Sequence, residues 1–257
     1  LSGAFTLADV GGAVAGVTFN GIADDDLSGW SVSGAGDVNG DGYADAVLSD
    51  GNAGLYWLVN DGSGGFSAGA RQVFESQVTA AGAAVVVGDL RGIGLLDVVV
   101  RTTDARVVVY YGLGGGSFAP QLTILQGVSS TSRDSIAIAS LKDFKYSAVL
   151  MHKDAAGIIA VRVYNDAGDM SGPYLMARDV SWSLSAIAVG DRNSDGIADV
   201  FAFDTTGSRM VTTVSETKAA VEPEATQRIV GVLEAASLVM KAFDLDYDGH
   251  EEVFLLA

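Results

Sequence analysis

Short apolar runs, bounded by Gly, Asp, Asn and Ser, recur along the whole chain. In each recurrence one apolar run precedes an acidic or polar loop and a second run follows it. The first runs are Trp30–Ala35, Ala83–Val87, Ile136–Ala139, Ala186–Val189 and Leu238–Ala242. The second runs are Ala46–Leu48, Val98–Val100, Val149–Met151, Val200–Phe203 and Val253–Leu256. Their length and their β-branched and aromatic content predict strands.

A third apolar run and a fourth, more polar stretch complete most of these units. The third runs are Leu55–Val59, Val107–Tyr111, Ile158–Tyr164 and Met210–Val214. Ser67–Phe74 and Ser117–Leu125 are examples of the fourth stretch. The first loop positions are Asp37, Asp89, Ser140, Asp191 and Asp244, with separations of 52, 51, 51 and 53 residues. A four-stranded unit of this period, repeated five times, is typical of a β-propeller.

We therefore predict an all-β fold: one domain over residues 1–257, a β-propeller of about five four-stranded blades. The loops near 37–45, 89–97, 140–148, 191–199 and 244–252 would join the first and second strands of successive blades. Glu224–Phe243 has some helical propensity, but its last residues align with the other strand and loop units. Residues 1–20 would close the ring against the last blade, which removes exposed sheet edges. The alternative is a fragment of a larger propeller.

Three of the five loops carry oxygen side chains at positions 1, 3, 5 and 9, with Gly at position 6. Position 7 would add its backbone carbonyl oxygen. Calcium takes about 6–8 oxygen ligands, and alternating acidic residues on a tight loop supply them. The sequence therefore predicts about three calcium ions. The predicted ligands are Asp37, Asn39, Asp41, Tyr43 and Asp45 in the first loop, Asp191, Asn193, Asp195, Ile197 and Asp199 in the fourth, and Asp244, Asp246, Asp248, His250 and Glu252 in the fifth.

The loops differ from an EF-hand, which closes with a Glu at position 12, because here the closing carboxylate is at position 9. The alternative interpretation is an Asp-rich and Gly-rich turn without a metal. The second loop keeps Asp89 and Asp97 but has Arg91 at position 3 and Ile93 at position 5. We expect Arg91 to sit between the two carboxylates as a built-in cation. The third loop, from Ser140, lacks the pattern and should not bind calcium.

The formal net charge of −17 argues against nucleic acid and anionic membrane surfaces as partners. The chain has no Cys, which excludes disulfides and zinc–thiolate sites, and no apolar run is long enough to insert into a membrane. The sequence begins at Leu1 without a signal peptide, so we expect a piece of a longer, multidomain chain.

The first repeat resembles a known family. The loop Gly36–Gly42, preceded by Gly29–Val32, is similar to the FG-GAP repeat of integrin alpha-chain propellers and their bacterial relatives, and Gly16–Gly21 fits the lead-in of such repeats. The fourth and fifth repeats match in the loop only. The resemblance implies a β-propeller with calcium loops between the first and second strands of a blade, where the ions mainly stiffen the fold. Integrin propellers have seven blades, whereas five loops are visible here.

Function follows less directly from the sequence. The resemblance implies a non-catalytic extracellular or cell-surface module for adhesion or ligand binding, with a protein or a glycan as partner. A glycan-binding lectin is an alternative, because Trp30, Trp57, Trp182, Tyr110 and Tyr111 could include residues that stack on sugars. Packing in the core or between blades is the favoured explanation for these aromatic residues. A carbohydrate-active enzyme, or its accessory domain, is a third reading. We expect no enzyme, because no nucleophile, base and orienting group can be assembled from the sequence.

Overall fold

The computed structural model describes a defined set of residues. These are 31–49, 55–63, 72–73, 84–102, 104–127, 136–139, 146–153, 157–177, 184–191, 198–204, 209–213, 223–228, 239–243 and 252–256. Within them all regular structure is β-strand. The predicted ring closure by residues 1–20 lies outside the described residues. No helix in the described part is long and apolar enough to span a membrane.

The first two sheets are four-stranded and antiparallel. Sheet 1 runs in chain order and consists of β1 (Ser31–Gly36), β2 (Asp45–Ser49), β3 (Leu55–Leu58) and β4 (Gln72–Val73). Sheet 2 consists of β5 (Ala84–Gly88), β6 (Asp97–Arg101), β7 (Arg106–Tyr110) and β10 (Leu122–Gln126). Between β7 and β10, β8 (Gly112–Gly114) and β9 (Ser117–Phe118) form a small separate hairpin. The predicted fourth strand of sheet 2, Ser117–Leu125, is therefore divided between β9 and β10.

The remaining sheets continue the same order. Sheet 3 consists of β11 (Ile136–Ala139), β12 (Ala148–Lys153), β13 (Gly157–Val163) and β14 (Met170–Ala177). Sheet 4 consists of β15 (Leu184–Gly190), β16 (Asp199–Asp204), β17 (Arg209–Thr213) and β18 (Pro223–Arg228). The fifth unit is the pair β19 (Val239–Phe243) and β20 (Glu252–Leu256). Strand β18 overlaps the start of Glu224–Phe243 and β19 forms its end, which confirms the repeat over the helical alternative at those residues.

The strand register shows that all five predicted loops join the first and second strands of their units. The residue before position 1 pairs with the residue at position 9 in every case. These pairs are Gly36 with Asp45, Gly88 with Asp97, Ala139 with Ala148, Gly190 with Asp199, and Phe243 with Glu252. The repeat inferred from spacing is therefore a repeat of backbone structure.

Sheets 1 to 4 pack face to face through shared hydrophobic cores. The first strands of all five units lie next to one another: β1 by β5, β5 by β11, β11 by β15, and β15 by β19. Strand β6 shows how sequence produces this packing. Val98 and Val100 point to the core shared with sheet 1, whereas Val99 points to the core shared with sheet 3. Successive side chains of a strand alternate between faces, so a sheet covered on both faces requires a continuous apolar run. All three valines are fully buried.

Candidate metal-binding loops

The first carboxylate of the first loop organises the turn. Asp37 Oδ1 accepts hydrogen bonds from the backbone amides of Gly40 (2.7 Å) and Asp41 (2.9 Å). Its Oδ2 accepts one from the amide of Gly42 at 2.8 Å. Gly40 and Gly42 have φ angles of +82° and +93°, a region in which glycine carries no steric penalty. These two glycines let the chain curl its amides around Asp37.

The middle of the first loop is held by a second set of short-range hydrogen bonds. Asn39 Oδ1 accepts from the amide of Asp41 at 3.0 Å, and Asp41 Oδ1 accepts from the amide of Tyr43 at 2.9 Å. The Asn39 side-chain amide donates to Asp41 Oδ2 at 2.8 Å. Asp37, Asp41 and Tyr43 are exposed to solvent, so the loop presents its oxygen atoms at the surface.

The closing carboxylate has a different environment, because Asp45 is only 3% exposed. Its Oδ2 accepts from the amide of Val38 at 3.0 Å, and its Oδ1 accepts from the amide of Asn60, just after β3, at 2.9 Å. The Asn60 side chain returns a bond to the Ala44 carbonyl oxygen at 3.0 Å. Asp45 thus ties the start of the loop to the β3 end of the same sheet. Burying a carboxylate requires such partners.

The second loop has the same outer scaffold. Asp89 accepts from the amides of Ile93 (3.2 Å) and Gly94 (2.6 Å), as Asp37 does from positions 5 and 6. Asp97 Oδ2 accepts from the amide of Leu90 at 3.1 Å, and Asp97 Oδ1 from the amide of Gly112 at 2.9 Å. The carboxylates at positions 1 and 9 therefore satisfy backbone amides in both loops.

The interior of the second loop contains Arg91. Its Nη2 lies 2.7 Å from Asp97 Oδ1 and 2.6 Å from the Gly112 carbonyl oxygen, and its Nε lies 3.3 Å from Asp97 Oδ2. The expected built-in cation is present, but it pairs with Asp97, while Asp89 is occupied by backbone amides. Burial raises the pKa of Asp97; the hydrogen bond and charge of Arg91 and the amides of Gly112 and Leu90 act in the opposite direction without overcoming it.

The other loops are described only in part. In the fourth loop, Asp191 follows β15 and is half-buried. Asp199 begins β16 and is buried, like Asp45 and Asp97 at the same loop position. In the fifth, Glu252 begins β20. The remaining predicted ligands, Asn193, Asp195, Ile197, Asp244, Asp246, Asp248 and His250, lie outside the described residues. The ligand sets of these loops stay predictions.

The first loop has the donor chemistry and the spare capacity for a cation such as calcium. An ionised carboxylate offers about four acceptor positions, and its hydrogen bonds use three at Asp37 and two each at Asp41 and Asp45. Carboxylate, amide and carbonyl oxygens are the ligands that calcium prefers. Across the described ranges, however, no three His, Asp or Glu side chains already converge on a common point suited to a metal ion. These oxygen atoms are of the kind that calcium binds, and in this structure the side chains accept hydrogen bonds from backbone amides.

The aromatic candidates for sugar stacking are placed in the core where they are described. Trp57 is 2% exposed and Tyr110 is 3% exposed, and both belong to the core between sheets 1 and 2. Core packing is therefore confirmed for both residues, and the stacking alternative is excluded for them because buried rings have no face to offer a sugar. Trp30 and Trp182 lie outside the described residues. The exposed tyrosines of the described part are Tyr43, Tyr164 and Tyr174, none of which the sequence analysis selected as a sugar-stacking residue.

Contacts between aromatic rings and glycines link neighbouring sheets, and sequence reasoning missed them. The Trp57 ring of sheet 1 lies against Gly116 in the β8–β9 hairpin of the next unit. The Tyr111 ring, after β7, lies against Gly168 in the turn between β13 and β14. The Tyr111 hydroxyl also donates to the Gly168 carbonyl oxygen. The similar spacing of the two aromatic residues and of the two glycines, 54 and 52 residues, is the only sequence signal for this arrangement.

Comparison with known families identifies one repeat. The model of the FG-GAP-like repeat matches residues 37–100, which extend from the first loop through β6. This match confirms the resemblance for the first two units. No curated protein matches the chain.

Solved structures show the same kind of fold. The BP39L lectin from Burkholderia pseudomallei superposes with a TM-score of 0.63 at 14% identity, covering 87% of this chain and 62% of the lectin chain. A Tc holotoxin pore from Photorhabdus luminescens superposes with a TM-score of 0.51 at 17% identity, covering 88% of this chain and 10% of the toxin chain. This chain therefore spans less than two thirds of each of these proteins.

Proposed function

We propose that this chain, which carries an FG-GAP-like repeat at residues 37–100, is a non-catalytic ligand-binding module of an extracellular β-propeller. Its sheets would be blades, about five in number, because successive sheets pack face to face with their first strands side by side. The partner would be a protein or a glycan, and adhesion is the role that this architecture suits. The observation that carries the proposal is the first loop, which presents spare oxygen donors at the surface of a repeat matched by the family.

We further propose that the first, fourth and fifth loops bind calcium. In the first loop Asp37, Asn39, Asp41 and Asp45 would supply side-chain oxygens and Tyr43 its carbonyl oxygen. A bound calcium ion would offset two of the three carboxylate charges and cross-link the loop. Extracellular modules bind calcium at roughly 10⁻⁴–10⁻³ M, concentrations that the cytosol does not reach. This is the physical support for an extracellular location.

Thermal unfolding in excess calcium and in chelator tests this proposal. A ligand that binds only the folded state at about 100 times its Kd stabilises it by about 2.7 kcal/mol per site, which is roughly 5–11 °C in Tm for a domain of this size. Asp41→Asn removes a charge but keeps an oxygen that accepts from the Tyr43 amide, so we expect it to reduce the calcium-dependent rise.

The matched control is Asp61→Asn, an exposed carboxylate in the turn after β3 that belongs to no predicted loop. It should leave the calcium response intact. Equal melting temperatures with calcium and with chelator would show that the loops are ordinary acidic turns, and the argument for an extracellular location would fall with them.

A lectin is the second candidate, and the superposition with a bacterial lectin favours it. Because Trp57 and Tyr110 are buried, the residues to test are Tyr164 and Tyr174, which are 54% and 42% exposed. Binding to a glycan array that is lost in Tyr164→Ala or Tyr174→Ala would support a lectin. If no glycan binds, the lectin candidate is refuted and a protein remains as the proposed partner.

A further inference from the structure

The two fully described acidic loops, 37–45 and 89–97, have the same backbone scaffold but carry different side chains at positions 3 and 5. Carboxylates at positions 1 and 9 hold backbone amides in both. Positions 3 and 5 carry Asn39 and Asp41 in the first loop, and Arg91 and Ile93 in the second. Positions 3 and 5 are the side chains that would face a cation, so the second loop lacks the oxygen donors that the first loop has there.

We propose that Arg91 makes the second loop a metal-free clasp that fastens sheet 2 to sheet 3. Arg91 is 7% exposed and Asp97 is fully buried, so their pair is shielded from solvent. The guanidinium bonds to both Asp97 oxygens and to the Gly112 carbonyl oxygen. It adds a second connection between the loop and the residues that follow β7, where the Gly112 amide already donates to Asp97 as the Asn60 amide does to Asp45.

The chemistry of the second loop disfavours a divalent ion. Its position 3 side chain is already a cation, and Ile93 at position 5 has no oxygen donor. Asp97 accepts two amide bonds besides those from Arg91, which takes up its acceptor positions. A calcium ion would have to approach the guanidinium with few oxygens left to bind it.

Two sets of contacts extend the clasp to sheet 3. The Arg91 guanidinium carbon lies 4.8 Å from the centre of the Tyr111 ring, within cation–π range. The Tyr111 hydroxyl donates to the Gly168 carbonyl oxygen, in the turn between β13 and β14. On the other side of the loop, the Ser147 amide donates to the Leu90 carbonyl oxygen at 3.1 Å, and its hydroxyl to that of Asp89 at 3.2 Å. The loop is thus attached to sheet 3 at both sides.

Arg91→Met tests the clasp, because Met keeps much of the apolar stem and removes the charge. Breaking one partner of a buried pair should lower Tm by about 6–20 °C. The loss should be the same in calcium and in chelator, because no metal is involved. Arg106→Met is the control: Arg106 pairs with Asp104 at 2.7 Å, but their side chains are 26% and 45% exposed, so Tm should hardly change.

Tyr111→Phe provides a milder variant in case Arg91→Met does not fold. It keeps the ring over Arg91 and removes the donor to Gly168, so Tm should fall by about 1–6 °C with and without calcium. An Arg91→Met protein as stable as Arg106→Met, or a loss that appears only in calcium, would overturn the clasp. An unchanged Tm in Tyr111→Phe would overturn its link to sheet 3. This inference goes beyond the proposed calcium binding, which the wild-type calcium response tests separately.

Discussion

Replacing Gly116 with Ala tests the contact between sheets 1 and 2. Gly116 is buried, has φ of +75°, and lies against the outer ring of the Trp57 indole. A Cβ built there would fall inside 3.0 Å of Trp57 Cη2 and Cζ3, and 3.1 Å from Cζ2. Trp57 is itself 2% exposed within the core, so the ring has little room to move aside. The substitution should therefore push the two sheets apart or distort the hairpin.

The magnitude follows from three contributions. A left-handed alanine costs about 1–2 kcal/mol and overpacking a core costs about 1–3 kcal/mol, whereas the stiffer unfolded chain returns about 0.4–1 kcal/mol. We expect Gly116→Ala to lose about 2–4 kcal/mol of unfolding free energy. Gly127→Ala is the matched control, because Gly127 has φ of +72° and no atom within 4 Å of a Cβ. Without overpacking, it should lose only about 0–1.6 kcal/mol.

Urea unfolding measures both losses, with the midpoint read at constant slope. The same experiment in a Trp57→Phe background isolates the overlap, because Phe lacks the outer indole ring that meets the Cβ. Gly116→Ala should then cost less, with a coupling of about 0.5–3 kcal/mol. If Gly116→Ala and Gly127→Ala lose the same amount, or if Trp57→Phe restores nothing, ring overlap is not the cause of the loss.

Two further predictions concern the hydroxyl of Tyr111 and the core between sheets 3 and 4. Burial, and after it the charge of Asp97, raises the pKa of Tyr111 to about 12. This tyrosine should therefore not ionise near pH 10, where ultraviolet absorbance follows the titration of ordinary tyrosines. Tyr111→Phe should leave the absorbance step near pH 10 unchanged. Because the folded pKa is raised, the stability from this group is complete below pH 10 and is lost as the pH rises towards 12; the Phe variant should lack that loss. Leu150→Ala, at a fully buried position, should cost about 2–5 kcal/mol in urea unfolding, whereas Leu113→Ala, 61% exposed, should cost little; similar losses would contradict the assignment of Leu150 to the core.

The strands were predictable from the sequence because each leaves a strong local signal. The buried run Val98–Val100 and the equally spaced loops specify where strands begin, and β11 coincides with the predicted Ile136–Ala139. The buried role of Asp45 was not predictable in the same way. Acidic residues at positions 1, 3, 5 and 9 look alike in sequence, but position 9 begins a strand and is covered by the next connection, so it becomes a buried acceptor of backbone amides.

Contacts between sheets were the least predictable part. Trp57 is compatible with a sugar-binding surface or a core, and only the packing of sheet 2 against sheet 1 decides between them. Arg91 illustrates the same difficulty. Its position suggested a cation between two carboxylates, yet its choice of Asp97 depends on Gly112 and Tyr111, which follow β7. The burial of Trp57 and the ion-pair partner of Arg91 both depend on residues distant in the chain, so local sequence patterns cannot predict them.

The contacts between aromatic rings and glycines have a consequence for how the protein unfolds. In repeat architectures, stability is approximately a sum of terms within units and terms between neighbours, and the latter decide how many units melt together. Here the shared hydrophobic cores are supplemented by close contacts at single points, Trp57 on Gly116 and Tyr111 on Gly168. A single added methyl group at either glycine would therefore weaken the coupling between two neighbouring sheets while leaving the interior of each sheet unchanged.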